Sequence, residues 1–320
     1  MTPIRVTPGQ RPRILNALTI DVEDYFHVSA FDGPEKRHCW DQFESRVCAN
    51  TDRLLDLLAQ TSTLATFFVL GWVADRHPHL IRRIASAGHE LASHGYAHRL
   101  VYNMTPAEFR DDLRRAKDAI ASASGVDVRG YRAPSFSITR ASLWALDVLI
   151  EEGYTFDSSV FPVRRDRYGL PGAPRHSHEI TRPSGRIVEV PPSTVRVGGL
   201  TVPVAGGGYF RLYPYALTRR AINDLNVNER RPAVAYVHPW EIDPNQPRQA
   251  GSLLNQFRHR VNLDQTEPRL RQLLTEFEFG PLTTAIRMAA QPDDVMDRVK
   301  RSGTARPVLW VPSATRTGTC

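Results

Sequence analysis

Three cysteines in 320 residues, Cys39, Cys48 and Cys320, are too few and too irregularly placed for a disulfide framework or a thiolate metal site. Their odd number argues for a reducing compartment. A long apolar run is also missing: the most apolar stretch, residues 64–74, is about half the ~20 residues needed to cross a bilayer. Residues 1–13 alternate Pro, Arg and Thr and lack the apolar centre of a signal peptide. These absences set the expectation of a soluble, cytoplasmic protein. The formal net charge of +7 is carried by scattered arginine pairs (Arg164 and Arg165, Arg219 and Arg220, Arg230 and Arg231), and no nucleic-acid recognition motif accompanies it. Nucleic acid is therefore not an expected partner. The glycines of residues 206–209 lack the spacing of a dinucleotide or Walker loop and read as a turn or substrate-facing loop.

What is present is a repeated alternation of short apolar runs with amphipathic stretches. Residues 14–20, 64–70, 90–93, 128–131, 187–190 and 233–237 read as strands. Residues 52–59, 79–87, 105–122 and 140–152 read as helices; Gly88, Gly125 and Gly153 end three of them, and Thr105 with Glu108 forms a capping box. Strand and helix alternating in this way predict an α/β fold around a parallel sheet, open or closed into a barrel. In both forms chemistry collects at the C-terminal strand ends. Asp21, His94, Arg132 and His238 each follow one of the expected strands. Four polar residues so placed point to a shared mouth. Residues 162–183, dense in Arg, Pro and Gly, read as a long loop.

Two imidazoles four positions apart in Ser93-His94-Gly95-Tyr96-Ala97-His98 can face one ion from a helical turn or a tight loop. Asp21-Val22-Glu23-Asp24 places three carboxylates directly after a buried strand, where a nearby cation would offset their burial. Two His and one carboxylate leave a coordination position open, which is the form of a catalytic site. An extended chain turns Asp21 and Glu23 to the same side; a bulge at the strand end favours Asp24 instead. The third ligand stays open between Glu23 and Asp24.

These segments, with Tyr131-Arg132-Ala133-Pro134, Gly153-Tyr154-Thr155-Phe156-Asp157-Ser158-Ser159 and Tyr236-Val237-His238, resemble the motifs of the NodB-homology polysaccharide deacetylases, carbohydrate esterase family 4. Trp240-Glu241-Ile242-Asp243-Pro244, Asn255-Gln256-Phe257-Arg258-His259 and Asn262-Leu263 are similar to a subgroup of these deacetylases that carry a C-terminal domain of unknown function and are encoded beside exosortase-linked exopolysaccharide loci. The resemblance implies a distorted (β/α) barrel over residues 14–240, preceded by a tail at 1–13 and followed by a family-specific extension at 241–287 and a flexible tail at 288–320.

It further implies a divalent metal (zinc first, with cobalt, nickel or manganese compatible) and removal of N-acetyl groups from amino sugars of a polysaccharide or oligosaccharide. Transient attachment to membrane-bound synthesis machinery fits the same reading. Under it Asp21 is the base, Arg132 orients Asp21, and the amide after Pro134, that of Ser135, stabilises the oxyanion. His238 is the acid, held protonated by Asp157, and Trp240 and Phe136 are candidate faces for stacking a sugar. The competing readings are an amide or ureide hydrolase acting on a small nitrogenous compound, and a carbohydrate-binding protein without catalysis. His77, His79, His89, His176 and His178 are read as solvated or locally bonded.

Overall fold

The computed structural model describes residues 14–31, 37–165, 167–204 and 206–290. The chain opens with β1 (Asn16–Val22), α1 (Val47–Gln60), β2 (Thr66–Val69), α2 (Gly71–Arg76), α3 (Pro78–Ser86) and β3 (Glu90–Ser93). There follow α4 (Pro106–Ser124), β4 (Gly130–Tyr131), α5 (Trp144–Glu151), β5 (Phe156–Asp157), β6 (His178–Arg182) and β7 (Gly185–Glu189). A hairpin of β8 (Thr194–Val197) and β9 (Leu200–Pro203) precedes α6 (Gly207–Leu212), α7 (Tyr215–Val227) and β10 (Val234–Val237). The last elements are α8 (Leu253–Arg260), α9 (Leu263–Glu276), β11 (Phe279–Gly280) and α10 (Leu282–Ala289).

Strands run in the order β10-β1-β2-β3-β4-β5-β7-β6, parallel except for the antiparallel β6–β7 pair. Beyond β7 the chain returns to β10, where the Ser193 amide donates to Val234 O at 3.1 Å and the Val234 amide donates to Ser193 Oγ at 2.7 Å. The sheet thereby curls into a distorted barrel. Every residue of β1 and β2 is buried, as parallel strands covered on both faces require. Leu18, Ile20 and Val22 pack outward in one cluster with Leu54, Leu57, Leu58, Ile81 and Ile84 of the flanking helices. The two-residue period of the strand then leaves Thr19 and Asp21 on the opposite, inner face. No described helix is long and apolar enough to cross a membrane.

The capping box at Thr105 and the positive φ of Gly88, Gly125 and Gly153 stand where the sequence places them. Three expectations change. Asp21 lies inside β1 instead of after it, and part of the supposed loop at 162–183 is strand β6. The glycine-rich segment 206–209 opens α6: a Cβ on Gly206 would come within 2.0 Å of the Tyr236 ring, so the glycines let the helix start directly against β10. Residues 241–287 are built into the barrel, since β11 pairs with β1 and Trp240, Ile242, Leu263, Leu270 and Leu273 share a core cluster with β1. Helix α10 extends to Ala289, into the tail expected at 288–320; the tail expected at 1–13 and residues 291–320 lie outside the described residues.

Candidate metal centre and active site

At the C-terminal edge of the sheet, Glu23, His94 and His98 bring one ligand atom each to within 4.8 Å of one another, all three buried. Glu23 Oε2 lies 2.7 Å from His98 Nε2 and 4.0 Å from His94 Nε2, yet it has no hydrogen-bond partner among the described residues. His94 Nδ1 sits 2.8 Å from the Arg132 carbonyl, so Nδ1 carries the proton and Nε2 presents its lone pair. Burial pulls the His94 pKa down to about 4, which keeps the ring neutral as a ligand must be. Burial also pushes the Glu23 pKa up, but His98, His238 and His94 outweigh it and hold the carboxylate ionised. Unpaired acceptor atoms converging in a buried site fit a bound divalent cation.

The His94–His98 segment is a tight loop, not a helical turn, with Gly95 at φ +74° and His98 at φ +49°. Asp112 of α4 clamps it by accepting from the Tyr96 amide at 2.7 Å and the Ala97 amide at 3.3 Å. A Cβ at Gly95 would stand 2.7 Å from that same carboxylate, so glycine is required there on both counts. Asp112 was not singled out in the sequence, although a carboxylate between Phe109, Leu113 and Ala116 on a buried helix face is a visible signal.

Asp24 belongs elsewhere, which corrects one of the two candidate ligands. Its Oδ2 accepts from Ser45 Oγ at 2.9 Å and from the amides of Arg46 and Val47 at 2.7 and 3.0 Å, while Oδ1 accepts from the Tyr25 amide. The carboxylate thus caps the start of α1 and of the turn Tyr25–His27. The backbone turns after Asp21, where the Glu23 amide donates to Asp21 O, and this keeps Asp21 and Glu23 facing the same side.

Arg132 is fully buried and spans the barrel interior. Its Nη1 donates to Asp21 Oδ1 at 2.6 Å and Thr19 Oγ1 at 2.8 Å; Nη2 donates to Ser158 Oγ at 2.9 Å. The guanidinium lies 4.1 Å above the Phe68 ring. His238 Nε2 stands 3.8 Å from Asp21 Oδ2 and 3.6 Å from Glu23 Oε1. Burial lowers the His238 pKa, but Glu241, Glu23 and Asp21 more than reverse this and bring it to about 9.

The partner expected for His238 is not the one observed. His238 Nδ1 lies 2.8 Å from Glu241 Oε2. Asp157 instead faces Glu189, its register partner across β5 and β7, and accepts from Ser159 Oγ. Burial raises the pKa of Asp157 to about 6, and burial together with the neighbouring Asp157 raises Glu189 well above the ordinary value. Nor are Trp240 and Phe136 open stacking faces. Trp240 is buried between His238 and His259 at 5.2 and 4.5 Å, and its Nε1 donates to Glu23 Oε1 at 3.1 Å. Phe136 is buried against Phe161 and Tyr236. Of the histidines set aside, His89 accepts from the Ala65 amide and His176 contacts Glu229, both away from this site.

A polysaccharide deacetylase family model matches residues 32–155, and a domain of unknown function, DUF3473, matches residues 158–287. Over 100 residues the chain is 39% identical to a chitooligosaccharide deacetylase of Bradyrhizobium, covering 31% of this chain and 43% of that protein. Over 98 residues it is 31% identical to a peptidoglycan-N-acetylglucosamine deacetylase of Bacillus cereus, covering 30% of this chain and 36% of that one. The matched stretch thus spans less than half the length of these relatives. A structure from Mycobacterium smegmatis assigned to the polysaccharide deacetylases superposes over 98% of this chain and 99% of its own, with TM-score 0.59 and 21% identity, a likeness of fold. Residues 32–155 are thus similar to polysaccharide deacetylases, and residues 158–287 to the domain of unknown function DUF3473.

Proposed function

We propose that this chain is a metal-dependent hydrolase that removes N-acetyl groups from the amino sugars of a polysaccharide or its oligosaccharide precursor. The observation that carries the reading is the convergence of Glu23, His94 and His98 beside an Arg132-bound Asp21 and a free edge of His238. Glu23, His94 and His98 would hold the ion, for which we favour zinc, although the ligand set also suits cobalt, nickel or manganese. The chemistry a divalent ion supplies at such a site is polarisation of the acetyl carbonyl and acidification of water.

The protein's own groups divide the remaining work. Asp21 takes the proton of the attacking water, and Arg132 fixes which oxygen is left for it by occupying Oδ1. His238, charged at neutral pH, gives a proton from Nε2 to the departing amine. The Ser135 amide, on a left-handed turn at φ +51° after Pro134, is the candidate donor to the oxyanion. The deacetylase names of the partial relatives support an N-acetylglucosamine substrate. The resemblance of the region after Trp240 to exopolysaccharide-locus proteins supports a place in exopolysaccharide production.

Acetate release from an N-acetylglucosamine oligomer, measured for native, chelated and zinc-restored protein, tests this reading. We expect release by the native protein, its loss on chelation and its return with zinc. A native, metal-replete protein that binds the oligomer without turnover would favour a carbohydrate-binding role instead. Turnover of small ureides but not of sugar oligomers would favour the small-molecule amidohydrolase.

A further inference from the structure

We infer that Glu241 and Arg211 are positioning residues for His238, and that the DUF3473 region is thereby part of the catalytic apparatus and not an appended module. The role of His238 in this inference rests on the deacetylase reading above. Both residues lie outside the stretch matched by the deacetylase model and inside the stretch matched by DUF3473.

Glu241 stands three residues after His238 on the turn Pro239–Ile242. One of its oxygens, Oε2, accepts from the His238 amide at 3.0 Å and lies 2.8 Å from His238 Nδ1. Two contacts from one oxygen, to the backbone and the ring of the same residue, fix the ring orientation. They also place the Nδ1 proton, so that Nε2 is the nitrogen turned to Asp21 and Glu23. The second oxygen, Oε1, accepts from Arg211 Nε at 2.7 Å. The rest of that guanidinium is occupied: Nη1 donates to His259 O at 3.0 Å and Val261 O at 2.9 Å, and Nη2 donates to Arg258 O at 3.1 Å. Glu241 therefore has one orientation available to it.

Arg211 and Glu241 are almost fully buried, at 2% and 1% exposure. A buried ion pair of this kind generally adds little stability over apolar residues of the same volume. A role in holding His238 gives the pair a reason to be there. The arrangement is tied to the strand that ends in His238, because α6 carries Arg211 and its first glycines lie against Tyr236 of β10. Trp240 completes the wall by stacking on the His238 ring, with an interplanar angle of 24°, and by holding Glu23 Oε1. With Asp157 occupied by Glu189, Glu241 supplies the carboxylate that His238 needs from the end of its own strand.

The test uses the full chain with Glu241→Gln and, as a second variant, Arg211→Lys. Three quantities are compared with the parent: metal content, the tautomer of His238 by long-range 1H–15N NMR at high pH, where the ring is neutral, and turnover of two acetyl substrates. Hydrolysis of the N-acetyl amide releases acetate and a sugar amine that must be protonated as it departs, whereas p-nitrophenyl acetate releases acetate and a stable phenolate. Glu241→Gln is expected to retain metal, to mix the two neutral tautomers of His238, and to lower the amide-to-ester turnover ratio on the order of 100-fold, within the range of general acid catalysis. Arg211→Lys is expected to change the ratio in the same direction by a smaller factor.

Equal loss on both substrates with an unaltered tautomer would overturn the positioning role and leave a packing role. A parent protein that hydrolyses the aryl ester but no N-acetyl sugar would sink the deacetylase reading instead. The tautomer measurement would still decide the positioning claim in that case.

Discussion

Asp21 and Arg132 meet across the barrel interior at 2.6 Å, with the arginine wholly enclosed and the carboxylate at 2% exposure. The same guanidinium reaches Thr19 and Ser158, so one planar group ties β1 to the ends of β4 and β5. Its carbonyl also orients His94. Base and ligand loop are thus referred to one residue.

Replacing Arg132 by Met removes the close partner of the buried Asp21 and leaves it only His238 at 3.8 Å. The expected loss is about 3–5 kcal/mol of stability, the usual result of removing one partner of a buried pair. Arg132→Lys keeps the charge but cannot span three acceptors, so it is expected to fold with turnover reduced on the order of 100-fold. Urea unfolding and initial rates of acetate release check the two variants.

Glu23 and Asp24 are adjacent but should respond to substitution in opposite ways. Glu23→Gln is expected to lose the ion while keeping the fold, since its Oε2 serves no hydrogen bond. Asp24→Ala is expected to keep the ion and to lose about 1–2 kcal/mol through the uncapped start of α1. Elemental analysis alongside thermal unfolding distinguishes them, and a metal-free Asp24→Ala of normal stability would reverse the assignment.

Asp112→Ala removes the clamp on the ligand loop. Two amides, those of Tyr96 and Ala97, lose their acceptor. The expected cost is about 1–3 kcal/mol, together with roughly 10- to 100-fold weaker metal binding, the usual effect of losing an outer-shell partner. Competition titration against a chromogenic chelator measures it.

The Asp157–Glu189 pair predicts a pH dependence of stability. Both pKa values are raised in the folded state, Asp157 to about 6 and Glu189 well above 4.5, so the folded protein binds protons that the unfolded chain has released. Stability contributed by this pair is therefore full at low pH and falls as pH rises above the unfolded carboxylate range, by up to about 1.4 kcal/mol per pH unit for each proton. Glu189→Gln removes one titrating group and keeps a donor for Asp157. Unfolding between pH 5 and 8 should show a flatter profile for the variant and a higher stability at the alkaline end; an identical slope would contradict the raised Glu189 pKa.

Much of the site was legible because it depends on local geometry. The two-residue period of an extended chain turns Asp21 and Glu23 to the same side, and the four-residue spacing of His94 and His98 lets both rings face one ion. The strand ends carrying His94, Arg132 and His238 followed from apolar runs bounded by polar residues. The choice of Glu23 over Asp24 was not legible, because it turns on which carboxylate meets the amides at the start of α1, some twenty residues on. The partner of His238 was missed for a similar reason. Glu241 has the right i+3 spacing, but only the turn at Pro239–Ile242 and the placement of Arg211 on α6 give that spacing meaning. The strands β6, β8 and β9 escaped because each is only four or five residues long with few apolar residues, too short for the two-residue period to stand out.

Acetate release from an N-acetylglucosamine oligomer by the Asp21→Ala variant, with its metal content determined on the same sample, tests the central claim most directly. The account predicts that the ion is retained through Glu23, His94 and His98 while turnover falls on the order of 100- to 10,000-fold, the span expected for loss of a general base. Turnover at the parent rate in a metal-replete Asp21→Ala protein would contradict it.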